Sequence, residues 1–176
     1  YVNPMLGTAT LWDSVDLGFK PTKRTWGAEV FPGSSLPNAM VQVSPVTKFH
    51  SGAGYQYEDS VIYGFTHTNK GHWNLCHIPL LPVTGTPTPG DYCSPFSHER
   101  ESAAPGYYQV FLDRYGVDAQ LSSTLRCAFH KYTYPAGAAA SLLADLQRSN
   151  EHVRAWDIRK EGDNVFAGWQ QTGEKM

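Results

Sequence analysis

The chain has 176 residues, with 14 basic and 16 acidic side chains and a formal charge of −2. That length suits one domain with its own core, since a chain of roughly 150 residues hides about two-thirds of its unfolded surface. The charge balance lacks the basic footprint that nucleic acid demands, and no run of ~18 apolar residues offers a membrane span.

Only 17% of the residues are charged, while 13% are aromatic, with 16 Gly and 12 Pro. Against the usual ~25% charged, this points to an all-β domain handling a neutral polar ligand. Neither an initiator Met nor a signal segment opens the chain, so a mature or excised form is expected. Its end, just after a strand-like segment, reads as a cut. Cys76, Cys93 and Cys127 fit no zinc spacing, and buried free thiols are favoured over a disulfide framework.

Residues 1–37 are rich in Gly, Pro, Thr and Ser and read as irregular coverage. Met40 to Ser44 alternates and stops at Pro45, a strand signal. Ser51-Gly52-Ala53-Gly54 reads as a turn or mobile loop, and Val61 to Phe65 as one short strand. Ile78 to Val83 carries two prolines and is expected at an edge or as an irregular strand. Residues 84–105 form a long Pro-rich connection.

Tyr108, Val110 and Leu112 face one way, and Tyr115-Gly116 makes a turn. Val117, Ala119, Leu121, Leu125, Cys127 and Phe129 then share one parity, predicting a half-buried antiparallel strand of about thirteen residues. A slip of phase after Phe129 suggests a bulge or bend near His130. Ala138 to Arg148 is ambiguous, helical by propensity and equally short enough for a buried strand. Asp157 to Arg159 and Val165 to Ala167 form a hairpin through Gly162-Asp163-Asn164. Six or more antiparallel strands with Pro/Gly-rich links imply an antiparallel β-sandwich.

The densest polar and aromatic cluster is the loop from His67 to His77, which carries Trp73, Asn74 and Cys76. A Trp face stacks on the C–H surface of a sugar, while Asn and His address its hydroxyls. The plainer account anchors Trp73 in the core and uses the His side chains as backbone caps. His67, His72 and His77 do not follow a standard zinc spacing. In a second loop, Trp26 and Glu29 present an aromatic and a carboxylate, though a solvated carboxylate in a turn is the simpler reading. Ser97 to Glu101 reads as a solvated charge run. No nucleophile elbow, Walker loop or dinucleotide fingerprint is present, and no spacing singles out an acid/base pair.

Taken in order, several blocks resemble the amino-terminal β-domain of glycoside hydrolase family 92, the calcium-dependent exo-α-mannosidases. They are Val2 to Thr8, Phe31 to Pro37 with Met40 to Pro45, Tyr63 to Thr68, Phe96 to Glu99, Pro105 to Val110, and Tyr115 to Thr133. The collinear match covers most of residues 2–146.

The resemblance implies a supersandwich-like β-domain with long loops, packed on an (α/α)₆ barrel expected outside residues 1–176. It implies inverting hydrolysis of terminal α-mannosides in mannose-containing glycans by two carboxylates flanking the scissile bond. Those carboxylates, and most ligands of a catalytic Ca2+, belong to the barrel, so neither is expected in this chain, and the chain alone is expected to be inactive. From the sandwich, Trp73, Asn74, Leu75 and Cys76 are implied at the mannose pocket, with Trp26 and Glu29 approaching from the other loop. A secreted, periplasmic or cell-surface location is implied as well. The family pattern also makes Ala140 to Leu146 a strand. A stand-alone carbohydrate-binding sandwich using Trp73 and Trp26 is the alternative.

Overall fold

A computed structural model describes residues 2–12, 14–20, 28–69, 75–88 and 90–173. Thirteen strands are described: β1 (Ser34–Ser35), β2 (Gln42–Val46), β3 (Val61–Ile62), β4 (Gly64–Thr66), β5 (Leu80–Thr84), β6 (Ser94–Pro95), β7 (Glu101–Ala104), β8 (Tyr107–Leu112), β9 (Val117–Ser123), β10 (Ala128–Thr133), β11 (Ala140–Ala144), β12 (Val153–Lys160) and β13 (Phe166–Thr172). One turn of helix, α1 (Ser14–Leu17), precedes them.

The fold is an all-β antiparallel sandwich. One sheet runs β1-β2-β4-β5-β11 and the facing sheet runs β10-β9-β8-β7. Alternation decides which side chains meet between them, because successive residues of a strand point to opposite faces. Val43, Phe65, Leu81 and Val83 from the first sheet pack with Tyr108, Val110, Leu112, Val117, Ala119 and Leu121 from the second, all of them buried. The Ser34 and Ser123 hydroxyls, 2.7 Å apart, link β1 to β9 inside this layer.

Several local expectations are corrected. The long alternating run is two strands, because residues 124–127 turn and β10 pairs back along β9 from Ala128↔Ser123 to Thr133↔Asp118. The Thr124 hydroxyl accepts the Cys127 N–H at 3.1 Å and fixes that turn. Reversal of the chain, with no bulge in the β9–β10 register, accounts for the slip of phase, and Leu125 and Phe129 lie exposed.

Val61 to Phe65 is divided between two sheets. β3 pairs with β6, while β4 pairs with β2 and β5. Gly64 sits at the division, where a Cβ would lie 2.9 Å from the Pro79 Cβ, so only glycine allows this approach. β2 continues through Pro45 to Val46. β5 lies inside its sheet, yet meets β4 only at Phe65↔Leu80, which leaves room for Pro82.

The ambiguous run at 138–148 holds strand β11, paired with β5 from Ala140↔Thr84 to Ala144↔Leu80. Packing against a neighbouring strand overrides the helix propensity of its Ala and Leu residues. The β12–β13 hairpin forms a separate two-stranded sheet. Together with β11 it encloses an apolar groove of about 490 Å³ lined by Leu80, Leu142, Ile158, Phe166 and Trp169. Leu142, Phe166 and Trp169 are each roughly half exposed there.

Within the expected charge run, Glu99 and Arg100 are exposed but Glu101 is not. Glu101 is buried, with only 2% of its side chain exposed. It accepts hydrogen bonds from the Tyr55 hydroxyl at 2.9 Å and the Tyr108 hydroxyl at 2.5 Å. His98 reaches its other oxygen through Nδ1 at 2.5 Å while stacking on Tyr57. Burial leaves this carboxylate no water, so the hydroxyls and the imidazole satisfy it instead.

Candidate functional site

Two loops of the first sheet meet at a buried glycine turn. Ser51, Gly52, Ala53 and Gly54 are all buried, and of the two readings, turn or mobile loop, the chain makes the turn. The Gly54 carbonyl accepts the N–H groups of Thr47 at 2.8 Å and Lys48 at 3.1 Å, closing the turn. Both glycines are required by what presses on them. A Cβ on Gly52 would lie 2.7 Å from the Glu29 Cγ, and one on Gly54 would lie 2.6 Å from the Cys76 Sγ. Glu29 and Cys76, 47 positions apart in the sequence, therefore pack on neighbouring residues of one turn.

Glu29, at φ 52°, is half-buried. Its segment is tied to the amino-terminal region by the Ala28 N–H, which donates to the Gly7 carbonyl at 3.0 Å. Leu75, Cys76 and Ile78 also have left-handed backbone, at φ 64°, 55° and 49°. Such conformations cost non-glycine residues on the order of 1–3 kcal/mol each, and they cluster where a fold has reason to hold them.

The hydrogen bonds show what holds this segment. The Leu75 N–H donates to Glu151 Oε2 at 3.2 Å. The Leu75 carbonyl accepts the Asn150 N–H at 2.9 Å. The Cys76 N–H donates to the Thr68 carbonyl at 2.8 Å. The His77 N–H donates to the Thr68 hydroxyl at 3.1 Å, and its ring Nε2 lies 3.1 Å from Glu151 Oε2.

The Cys76 side chain points inward. Its thiol lies 3.4 Å from Asn69 Oδ1, and the residue has no exposed surface. Asn69, equally buried, donates through Nδ2 to the Gln42 and Thr66 carbonyls, at 2.9 Å each. Burial pushes the Cys76 thiol up to about 12, so at neutral pH it is a protonated, inert thiol. Leu75 and Glu29 retain partial exposure, and of the described candidates these two can meet a ligand. A carboxylate suits a hydroxyl of a sugar, and an apolar side chain suits its C–H face. Trp26, Trp73 and Asn74 lie outside the described residues.

Beside this site, His67 Nε2 lies 2.7 Å from His130 Nε2, and His130 Nδ1 lies 2.6 Å from the Tyr132 hydroxyl. The chain of three rings joins the residue that follows β4 to β10, so His67 is occupied in holding the two sheets. Among the described residues no three His, Cys, Asp or Glu side chains converge as a metal site. All three cysteines are free thiols, of which Cys76 is buried and Cys127 exposed.

Asn150 and Glu151 did not stand out in the sequence, because both lie in a short polar link between two strands and match no motif. Their partners are about 75 and 100 residues away, and only folding reveals them.

The description "Glycosyl hydrolase family 92 N-terminal domain" matches residues 1–176. Among solved structures, the family GH92 α-mannosidase BT3965 from Bacteroides thetaiotaomicron, in complex with mannoimidazole, is 28% identical with a TM-score of 0.82. That similarity covers 97% of this chain and 22% of the mannosidase. The gh92 family glycosyl hydrolase ccman5 is 30% identical with a TM-score of 0.69, over 82% of this chain and 22% of its own. No curated protein sequence matches. The chain thus spans about a fifth of the length of these solved relatives.

Proposed function

Because the chain belongs to glycosyl hydrolase family 92, as that family's N-terminal domain, we propose that it is the amino-terminal β-sandwich of an exo-α-mannosidase acting on mannose-containing glycans. In this reading the sandwich supplies one wall of the sugar pocket, and the carboxylates of an inverting hydrolysis come from an (α/α)₆ barrel elsewhere in the polypeptide. One carboxylic acid protonates the leaving oxygen while a carboxylate activates water on the opposite face of the ring. The observation that carries the reading is the overlay of nearly the whole chain on an α-mannosidase solved with mannoimidazole.

Three features of the chain support it. Glu29 and Cys76, the residue after Leu75, pack on one buried turn, as two loops converging on a single sugar require. The exposed groove between β11 and the β12–β13 hairpin suits a covering domain, because apolar patches of this kind mark contact surfaces. The neutral, buried Cys76 thiol is unsuited to nucleophilic chemistry. In this reading the calcium is held mainly by the barrel, and no step is routed through it here. Trp26, Trp73 and Asn74 enter the pocket on the family resemblance alone, as does a secreted or periplasmic location.

The test is release of mannose from an aryl α-mannoside. The full polypeptide should hydrolyse it, and the purified 176-residue chain should not. Turnover by the isolated chain would refute the assignment of the carboxylates to another domain. Titration with mannose adds a second measure. A wall of a pocket should bind near the millimolar range, about −4 kcal/mol, whereas saturation well below that would favour a self-sufficient carbohydrate-binding module.

A further inference from the structure

We propose that Asn150 and Glu151 are positioning residues for the sugar-facing loop, clipping Leu75 and Cys76 into a backbone conformation they would not hold alone. The inference rests on the mannosidase reading above and extends it to two residues that neither motif nor resemblance assigns. Both polar backbone groups of Leu75 are taken by this pair, its N–H by the Glu151 carboxylate and its carbonyl by the Asn150 N–H. A residue at φ 64° followed by one at φ 55° needs such outside support, because short-range sterics oppose both.

The same pair reaches the glycine turn. Asn150 accepts the His50 N–H on Oδ1 at 2.9 Å and donates from Nδ2 to the Ser51 carbonyl at 3.0 Å. Asn150 is 3% exposed, so these bonds are shielded from water and directional. Glu151 also bonds His77 and the Thr172 hydroxyl, joining the loop to the last residue of β13, at the open end of the hairpin. Asn150 and Glu151 therefore connect the segment bearing Leu75 to the turn on which Glu29 rests. They touch no reacting atom, and their effect passes through the placement of that wall.

Such a role predicts a split in kinetic constants. In the full polypeptide, Glu151→Ala should raise KM for an aryl α-mannoside about tenfold or more with kcat within about twofold, the mark of lost ground-state positioning. Glu151→Gln keeps an oxygen acceptor for the Leu75 N–H and should restore KM to within about threefold of wild type. A second measurement needs no glycan: alkylation of Cys76 by iodoacetamide in the 176-residue chain. Glu151→Ala and Asn150→Ala should label Cys76 at least tenfold faster than wild type, with Cys127 unchanged.

Wild-type labelling rates in both variants would overturn the clip. Faster labelling with an unchanged KM would overturn the positioning role while leaving the mannosidase reading intact. A wild-type full polypeptide inert toward mannosides would refute that reading and the sugar-positioning role with it. Loss of kcat and KM together, with Glu151→Gln as poor as Glu151→Ala, would show a merely structural residue and also overturn the proposal.

Discussion

Replacing His130 with glutamine should remove much of the acid sensitivity of this domain. His130 lies between His67 and Tyr132, with Phe65 against its ring edge. Burial, and secondarily the neighbouring His67, lower its pKa from 6.5 to about 4, and burial lowers that of His67 as well. The sign follows from linkage. Between pH 6.5 and 4 the unfolded chain binds a proton at this ring and the folded chain does not, so stability rises with pH across that window.

The neutral ring's contribution is whole above pH 6.5 and is lost as pH falls toward 4. The drop from 6.5 to about 4 corresponds to about 3 kcal/mol, and partial solvent screening reduces this to about 2 kcal/mol between pH 7 and 4.5. Urea unfolding at the two pH values measures it. The wild type should lose about 2 kcal/mol more than His130→Gln over this interval. An equal loss in both proteins would refute the reasoning, since the acid-sensitive group would then lie elsewhere.

Gly54→Ala should destabilise the fold by about 2 kcal/mol or more, since its Cβ meets the Cys76 Sγ at 2.6 Å and its φ is 81°; thermal unfolding would register a fall of several degrees. Glu101→Ala should cost about 3 kcal/mol, because the Tyr55 and Tyr108 hydroxyls lose a buried acceptor; a lowered urea midpoint with an unchanged m-value checks it. At pH 8 an aromatic disulfide reagent should titrate exposed Cys127 rapidly and reach buried Cys76 only on unfolding; immediate reaction at Cys76 would contradict its burial.

The architecture is legible in the residue pattern. Alternation over Tyr108 to Leu112 and Val117 to Leu121 selects one buried face, and Tyr108, Val110, Leu112, Val117, Ala119 and Leu121 on that face all lie in the core, while Phe111 points the other way. Turn formers at Gly116 and around Gly162 mark reversals that the strands respect, since such residues favour turns wherever they fall. The ordered blocks from Val2 to Thr133 carried the family likeness, because a long collinear series constrains identity more than any single motif does.

Tertiary structure decided everything that depends on distant partners. Local pattern could not tell whether Leu125 continued a strand or lay in a turn, or whether Phe129 belonged to the same strand or the next, since both choices preserve the alternation until β10 folds back. Helix propensity at Ala140 to Ala144 yielded to pairing with β5. Charge suggested that Glu101 was solvated, whereas two tyrosines from other segments bury it. Composition marked the loop ending at His77, but could not show that Cys76 turns inward or that Asn150 and Glu151 hold its backbone. A hydrogen bond spanning about 75 residues has no local signature. Sequence periodicity records which side of a strand meets the core, and only the folded chain records which strand, turn or carboxylate it meets there.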